Sequence, residues 1–316
     1  MTLPFFSDAE ITSRRGPKNT LDPNRPYGYF VEPEVSRHGR LEDTAVILLT
    51  NQECPFRCLM CDLWRNTLDE RVPPGAITKQ IEFGLSRLPV VRHVKLYNSG
   101  NFFDAQAIPS EDFPDIARQL SDMQTVIVEN HPRLCHDACV RFRDLLPDTC
   151  ELEIAIGLET VHPDVLVRLN KRMTVDDFER SVRFLEKRRI PTRAFLLLRP
   201  PFLSEAEGVD WALRSIEFAF SVGVRCCSVI PTRDGNGIMD QLKQTNQFTP
   251  PHLNSLEIVL QTALAWNRGR VFADTWDLPQ MRCCRICGEA RRERIEIMNR
   301  TQRIPPAVLC TCRGTE

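Results

Sequence analysis

The chain has no long apolar run. Stretches such as Ala45 to Leu49 and Ala194 to Leu198 cover five residues, against the roughly 20 that a membrane-crossing helix needs, so no such helix is expected. It has no excess of either charge: 41 Lys and Arg face 42 Asp and Glu, and bulk charge announces neither a nucleic-acid nor a membrane-surface protein. It has no apolar stretch after Arg14-Arg15, which Gly-Pro-Lys follows; a twin-arginine export signal is therefore not expected, and a cytoplasmic location is. Internal repeats and low-complexity tracts are also missing. What remains is ordinary globular composition, 42% hydrophobic and 26% charged, which argues against wholesale disorder. The 316 residues suit one large domain with an appendage. Such a length buries a core unaided, so a metal site would serve more than folding.

Cysteine, in contrast, is plentiful. Thirteen cysteines in a reducing compartment read as metal ligands or reactive thiols before they read as disulfides. Their distribution follows the organisation of the chain. Residues 1–42 carry Pro4, Pro17, Pro23, Pro26 and Pro33 without clear periodicity and read as an irregular N-terminal arm. From 43 to 269, strand-like runs (44–49, 91–97, 125–128, 152–156, 192–198, 224–230) alternate with helical ones. Ser204-Glu205-Ala206-Glu207 is a capping box opening a helix that stops before Gly223, and Thr174 opens another through Val175, Phe178, Val182 and Leu185. This alternation predicts an α/β fold with a parallel sheet, doubly wound or an open barrel. Residues 270–316 form a Cys- and Arg-rich C-terminal extension.

Cys54-Pro-Phe-Arg-Cys58-Leu-Met-Cys61 follows the first of these strands. At this cysteine frequency CxxxCxxC should arise by chance only about 0.02 times. Three thiolates on one short loop suit an iron–sulfur cube with one iron left open. Zinc usually wants a fourth ligand, and no His lies in the loop.

Here the sequence resembles the radical S-adenosylmethionine enzymes, whose signature is CxxxCxxC after strand one of an open, partial TIM-type β/α barrel. The resemblance implies that Cys54, Cys58 and Cys61 hold a 4Fe–4S cluster. Its open iron chelates S-adenosylmethionine, and an electron from a donor such as flavodoxin or ferredoxin cleaves the sulfonium to a 5′-deoxyadenosyl radical. By the same resemblance Met60 lies near the adenine. Gly100, in Asn98-Ser99-Gly100-Asn101, occupies the loop whose backbone holds the methionine amino group. Glu159, in Gly157-Leu-Glu-Thr160, contacts the ribose or methionine, and Lys171, with Arg172 beside it, faces the methionine carboxylate; Lys supplies charge there without a bidentate fork. The strings ECPFRCLMCDLW, YNSGNFFD, GLETVHP, LNKRMT, LLRPPFL and TQRIPP are similar to the archaeosine-synthase beta-subunit-like group. That similarity implies modification of a 7-deazaguanine-type nucleoside in tRNA, and a partner subunit.

The strand ends add an independent polar list: Asn98, Asn101, Glu129, Asn130, His131, Glu159, Arg199, Thr232 and Arg233. In parallel β/α barrels that rim carries the chemistry. His131 and His162, each before a proline, read as turn residues. Cys135, Cys139, Cys150, Cys226 and Cys227 lack ligand spacing and read as core thiols. Asp234-Gly235-Asn236-Gly237 reads as a turn, without the Lys and Ser/Thr of a phosphate loop.

The extension holds a second cysteine group. Cys284, Cys287, Cys310 and Cys312 are candidate ligands for zinc or a second iron–sulfur cluster, with Cys283 an alternative to Cys284 and unligated thiols the rival reading. From Pro279 to Glu316 eight Arg stand against four Glu. Such a stretch is either a polyanion-binding appendage or a solvated helix in which Glu289, Glu293 and Glu296 pair with the arginines. Three functions fit: a radical enzyme on a tRNA nucleoside, the same chemistry on a small molecule, or a zinc-stabilised nucleic-acid-binding protein without catalysis.

Overall fold

The computed structural model describes residues 4–310. Eight strands form one sheet in chain order: β1 (Gly28–Val35), β2 (Leu41–Leu48), β3 (His93–Tyr97), β4 (Thr125–Asn130), β5 (Glu151–Glu159), β6 (Thr192–Leu198), β7 (Cys226–Pro231) and β8 (Arg270–Ala273). β1 runs antiparallel to β2, and every later pairing is parallel. The helices are α1 (Asp8–Ser13), α2 (Ala76–Leu85), α3 (Phe113–Gln119), α4 (Asp137–Leu145), α5 (Pro163–Arg168), α6 (Val175–Glu186), α7 (Glu205–Ser221), α8 (Ile238–Gln244), α9 (Leu253–Ala265) and α10 (Gly288–Thr301). This is an open α/β half-barrel.

All six strands expected from sequence are present, as β2 to β7. Two others were not expected, and both correct the domain outline. The supposedly irregular arm 1–42 contains α1 and the whole of β1. The sheet does not stop at 269, because β8 occupies 270–273. β1 hid because it carries Pro33 between Glu32 and Glu34. Proline is tolerated there because β1 is an edge strand. β8 has four residues, too few to show a period.

The alternation of side chains explains the layers. Ala45, Ile47, Val94, Leu96, Val126, Val128, Ile154, Ile156, Ala194, Leu196 and Val229 point outward into one core beneath the helices. Both well-marked helix starts are capped as their sequences require: Thr174 with Asp177 on α6, and Ser204 with Glu207 on α7. Each cap contributes about 1 kcal/mol.

The opposite face of the sheet is charged at its lower end. Lys95 Nζ lies 2.5 Å from both Glu32 and Glu34, Arg193 reaches Glu153 at 2.7 Å and Glu34 at 2.5 Å, and Arg270 reaches Glu153 at 2.8 Å. Burial alone would raise the Glu34 carboxyl, but Arg193 and Lys95 overcome it and hold it well below the usual range. These salt bridges occupy the N-terminal half of the barrel interior and leave the strand C-termini for other chemistry.

The outer edge of β8 is covered by two carboxamides from α10. Gln302 accepts from Val271 N at 2.8 Å and donates to Val271 O at 2.9 Å. Asn299 accepts from Ala273 N at 2.9 Å and donates to Ala273 O at 2.8 Å. α10 also packs against β1, so it fills the gap between the two ends of the sheet.

Candidate active site at the strand C-termini

The loop after β2 carries Cys54, Cys58 and Cys61, all half-buried. It is held from every side. Leu59 N donates to Leu169 O at 2.8 Å, and Asn170 Nδ2 donates to Arg57 O at 2.8 Å. Asn236 Nδ2 donates to Leu59 O at 2.8 Å and Cys61 O at 3.1 Å. Phe56 stacks on His131 with ring centroids 3.8 Å apart. The N-terminal segment closes over the entry to the loop, with Arg15 and Lys18 each 2.7 Å from Glu53.

Burial pushes all three thiols up, Cys58 to about 12, Cys61 further, and Cys54 in the same direction. Thiolates there need a cation to balance them, and metal binding would release their protons. Elsewhere, Cys284, Cys287 and Cys310 bring their sulfurs within 4.8 Å of one another.

Three neighbouring strand ends converge on this loop. After β3, Asn101 Nδ2 donates to Cys54 Sγ at 3.1 Å, and a Cβ at Gly100 would stand 3.4 Å from Cys54 Cβ. At the end of β4, Glu129 accepts from the backbone of Asn98 at 2.6 Å and Gly100 at 3.3 Å, fixing the Asn98–Asn101 turn. Burial raises the Glu129 carboxyl to about 7 even against those donors. Asn98 is buried and exchanges side-chain and backbone hydrogen bonds with Asn51. At the end of β5, Glu159 has a left-handed backbone, φ 64°, which turns its carboxylate to Lys171. Lys171 Nζ donates to Glu159 Oε1 at 2.6 Å, and both side chains are buried. Burial would lower the ammonium pKa, but Glu159, then Cys58 and Cys54, hold it well above its ordinary value. Gly157 is required beside them: a Cβ there would come 2.3 Å from Glu159 Oε1 and 2.5 Å from Lys171 Nζ.

Gly100, Glu159 and Lys171 thus lie together around the cysteine loop. Met60 packs between two apolar clusters, one with Leu59, Ile238 and Met239, the other with Val165, Leu169 and Leu197. Arg199 turns to Glu205 at 2.5 Å and Arg233 to Asp277 at 2.7 Å. Cys139, Cys150, Cys226 and Cys227 are buried and Cys135 is half-buried. His162 is the turn residue its proline suggests, capping α5. His131 does more, since its Nε2 bonds to Lys171 O at 3.0 Å as well as stacking on Phe56. Asn236 was hidden inside a turn-forming string, and nothing in that string signals its hold on the loop.

The tail departs from one sequence reading. Arg294 is buried and donates to Glu257 at 2.7 Å, Gln261 at 3.0 Å and Pro305 O at 2.9 Å. Arg291 also pairs with Glu257, and Arg292 donates to Leu278 O, Pro279 O and Cys283 Sγ. These arginines clasp α10 to α9 and to the segment before it. They do not form an open face for a polyanion. Cys312 lies outside the described residues.

No protein-family model matches the chain. An uncharacterized protein of Methanocaldococcus jannaschii is 24% identical over 321 residues, covering 94% of this chain and 87% of that protein. The archaeosine synthase beta subunits of Thermococcus kodakarensis and Methanosarcina acetivorans are each 27% identical, over 187 and 231 residues. Those alignments cover 57% and 69% of this chain, and 57% and 65% of the respective relatives. Methylornithine synthase superposes with a TM-score of 0.55 at 10% identity, covering 92% of this chain and 80% of that one. Streptococcus suis SuiB, solved with S-adenosylmethionine bound, gives 0.54 at 11% identity, covering 79% and 56%. The fold is of the radical S-adenosylmethionine type, and the sequence is similar to an archaeosine-synthase-like group.

Proposed function

We propose, for a chain of radical S-adenosylmethionine fold and archaeosine-synthase-like sequence, that it is a radical enzyme acting on a 7-deazaguanine-type nucleoside of tRNA, in concert with a partner subunit. The observation that carries the reading is the convergence of Cys54, Cys58 and Cys61 with the Glu159–Lys171 pair at the C-terminal rim of the sheet. Catalytic groups of β/α barrels gather at that rim. Cys54, Cys58 and Cys61 would hold a 4Fe–4S cluster, which when bound supplies the electron that cleaves S-adenosylmethionine.

The chain's own residues have distinct tasks in this scheme. Asn101 donates to Cys54 Sγ, and such bonds tune a cluster's potential. Glu129 shapes the Asn98–Asn101 turn, whose backbone would meet the methionine amino group. Lys171 would supply positive charge toward the methionine carboxylate, with Glu159 holding its ammonium in place. Met60 offers an apolar contact for adenine. The N-terminal segment, through Arg15, Lys18 and Glu53, restricts water at the entry of the cysteine loop.

A small-molecule substrate is the second reading, and the internal pairing of Arg291 and Arg294 with Glu257 favours it. One experiment separates the two. Anaerobically reconstituted protein is mixed with labelled S-adenosylmethionine and either tRNA bearing a deuterated 7-deazaguanine or the free deuterated nucleoside. Deuterium in 5′-deoxyadenosine from tRNA alone supports the proposal, transfer from the free nucleoside supports the second reading, and absence of cofactor cleavage removes both.

A further inference from the structure

The segment after the barrel and the end of the described chain meet at three sulfurs. Cys284, Cys287 and Cys310 place their Sγ atoms within 4.8 Å of one another, although 22 residues separate Cys287 from Cys310 in the sequence. The path between them is specific. α10 runs away from Cys287 for 14 residues, about 21 Å, and the chain then turns at Gln302, φ 52°. Arg294 holds the returning segment through Pro305 O at 2.9 Å and Pro306 O at 2.9 Å. Eight residues from Arg303 to Cys310 can span about 26 Å when extended, enough to return to the start of α10.

Two donors identify Cys284 and Cys287 as acceptors. Ile286 N donates to Cys284 Sγ at 3.4 Å, and Arg291 Nε to Cys287 Sγ at 3.1 Å. Cys287 also stands at the N-terminus of α10, where the helix dipole favours negative charge. Donors aimed at sulfur and a helix N-terminus both favour thiolates. Cys283 points elsewhere: its Sγ lies against Gly288 and accepts from Arg292 at 3.2 Å.

Spacing then separates the two metals that the sequence left open. Tetrahedral zinc, with Zn–S near 2.3 Å, brings its sulfurs to about 3.8 Å from one another. An iron–sulfur cube spreads them over a wider triangle. The tail sulfurs lie within 4.8 Å of one another, close to the single-ion spacing and tighter than a cube allows.

We propose that Cys284, Cys287 and Cys310 bind a single zinc ion, and not a second iron–sulfur cluster. The thiols give up their protons on binding, with no change of oxidation state. The ion pins the returning C-terminal segment to the start of α10, the helix that covers the open side of the sheet.

The test uses the full chain with Cys54, Cys58 and Cys61 all replaced by Ala, purified without oxygen and analysed for metals. The expected result is about one zinc per chain, with iron below about a tenth of that. Adding Cys287→Ser should lower zinc at least about fivefold. Stoichiometric iron in the triple variant, or neither metal, overturns the proposal. Should that variant misfold, wild-type protein titrated with a mercurial in the presence of a zinc-sensing dye should release about one zinc per chain, and release of none overturns the proposal equally. The outcome is independent of the radical reading, which fails separately if the intact chain reconstitutes no cluster.

Discussion

Lys171 and Glu159 close a 2.6 Å ion pair between the end of β5 and the loop following α5, with both side chains buried. The family resemblance gives Glu159 a ribose or methionine contact and Lys171 the methionine carboxylate; in the structure the two grip each other. Lys171 charge is therefore already oriented before any ligand arrives.

Removing one partner strands the other. Lys171→Met should cost about 3–5 kcal/mol of stability by leaving Glu159 buried and unpaired, and Lys171→Met with Glu159→Gln should recover part of it. Denaturant melts measure both. Calorimetry on reconstituted Lys171→Met should show S-adenosylmethionine binding weakened by about tenfold or more, with iron content unchanged. Unaltered affinity would make the pair purely structural and move the carboxylate contact to Arg172.

Ala at Cys54, Cys58 or Cys61 should each abolish stable iron binding and cofactor cleavage. Asn101→Ala should keep the iron and shift the reduction potential to more negative values, because a donor to Cys54 Sγ is lost. Redox titration followed by electron paramagnetic resonance reads the shift, and an unchanged potential would show that this contact does not tune the cluster.

His131 makes the loop acid-sensitive. Its Nδ1 accepts from Arg133 N at 3.1 Å, so the proton resides on Nε2, which donates to Lys171 O. Burial, then the nearby Lys171 charge, lowers its pKa to about 3. The unfolded chain binds this proton near pH 6.5 and the folded one does not, so stability is full above pH 6.5 and falls as pH drops towards 3. Between pH 6.5 and 5 the loss should be about 2 kcal/mol. Urea midpoints of wild type and His131→Asn across that range check it; equally steep curves would contradict the assignment.

Arg294→Ala should destabilise the C-terminal extension by about 3 kcal/mol or more, since Glu257 and the Pro305 and Pro306 carbonyls lose a buried partner. Limited proteolysis should then cut after α10 first. Charge reversal at Arg291 or Arg294 should likewise damage folding, because each is paired with Glu257.

The six inner parallel strands were legible because each is a compact apolar run with a polar end. The cysteine loop was legible because its spacing is improbable by chance. β1 was not, since its inward side chains include Glu32 and Glu34, whose partners Lys95 and Arg193 come from distant strands; no local period encodes that pairing. The sequence left two readings of the tail arginines open for a related reason: Glu257, which neutralises Arg291 and Arg294, lies on another helix, and among the described residues only Arg292 pairs locally, with Glu289. Asn236 was missed because a loop's anchor is defined by what it reaches, here the carbonyls of Leu59 and Cys61.

The amides of Asn299 and Gln302 have a consequence for assembly. An unpaired strand edge invites another chain to add itself to the sheet. At Val271 and Ala273 that invitation is withdrawn, because side chains of a helix already answer the backbone as a ninth strand would. A partner subunit approaching this flank would find a helical surface and must recognise it through side chains. Replacing both amides by Val would uncover the edge, and self-association through β8 is the hazard to expect.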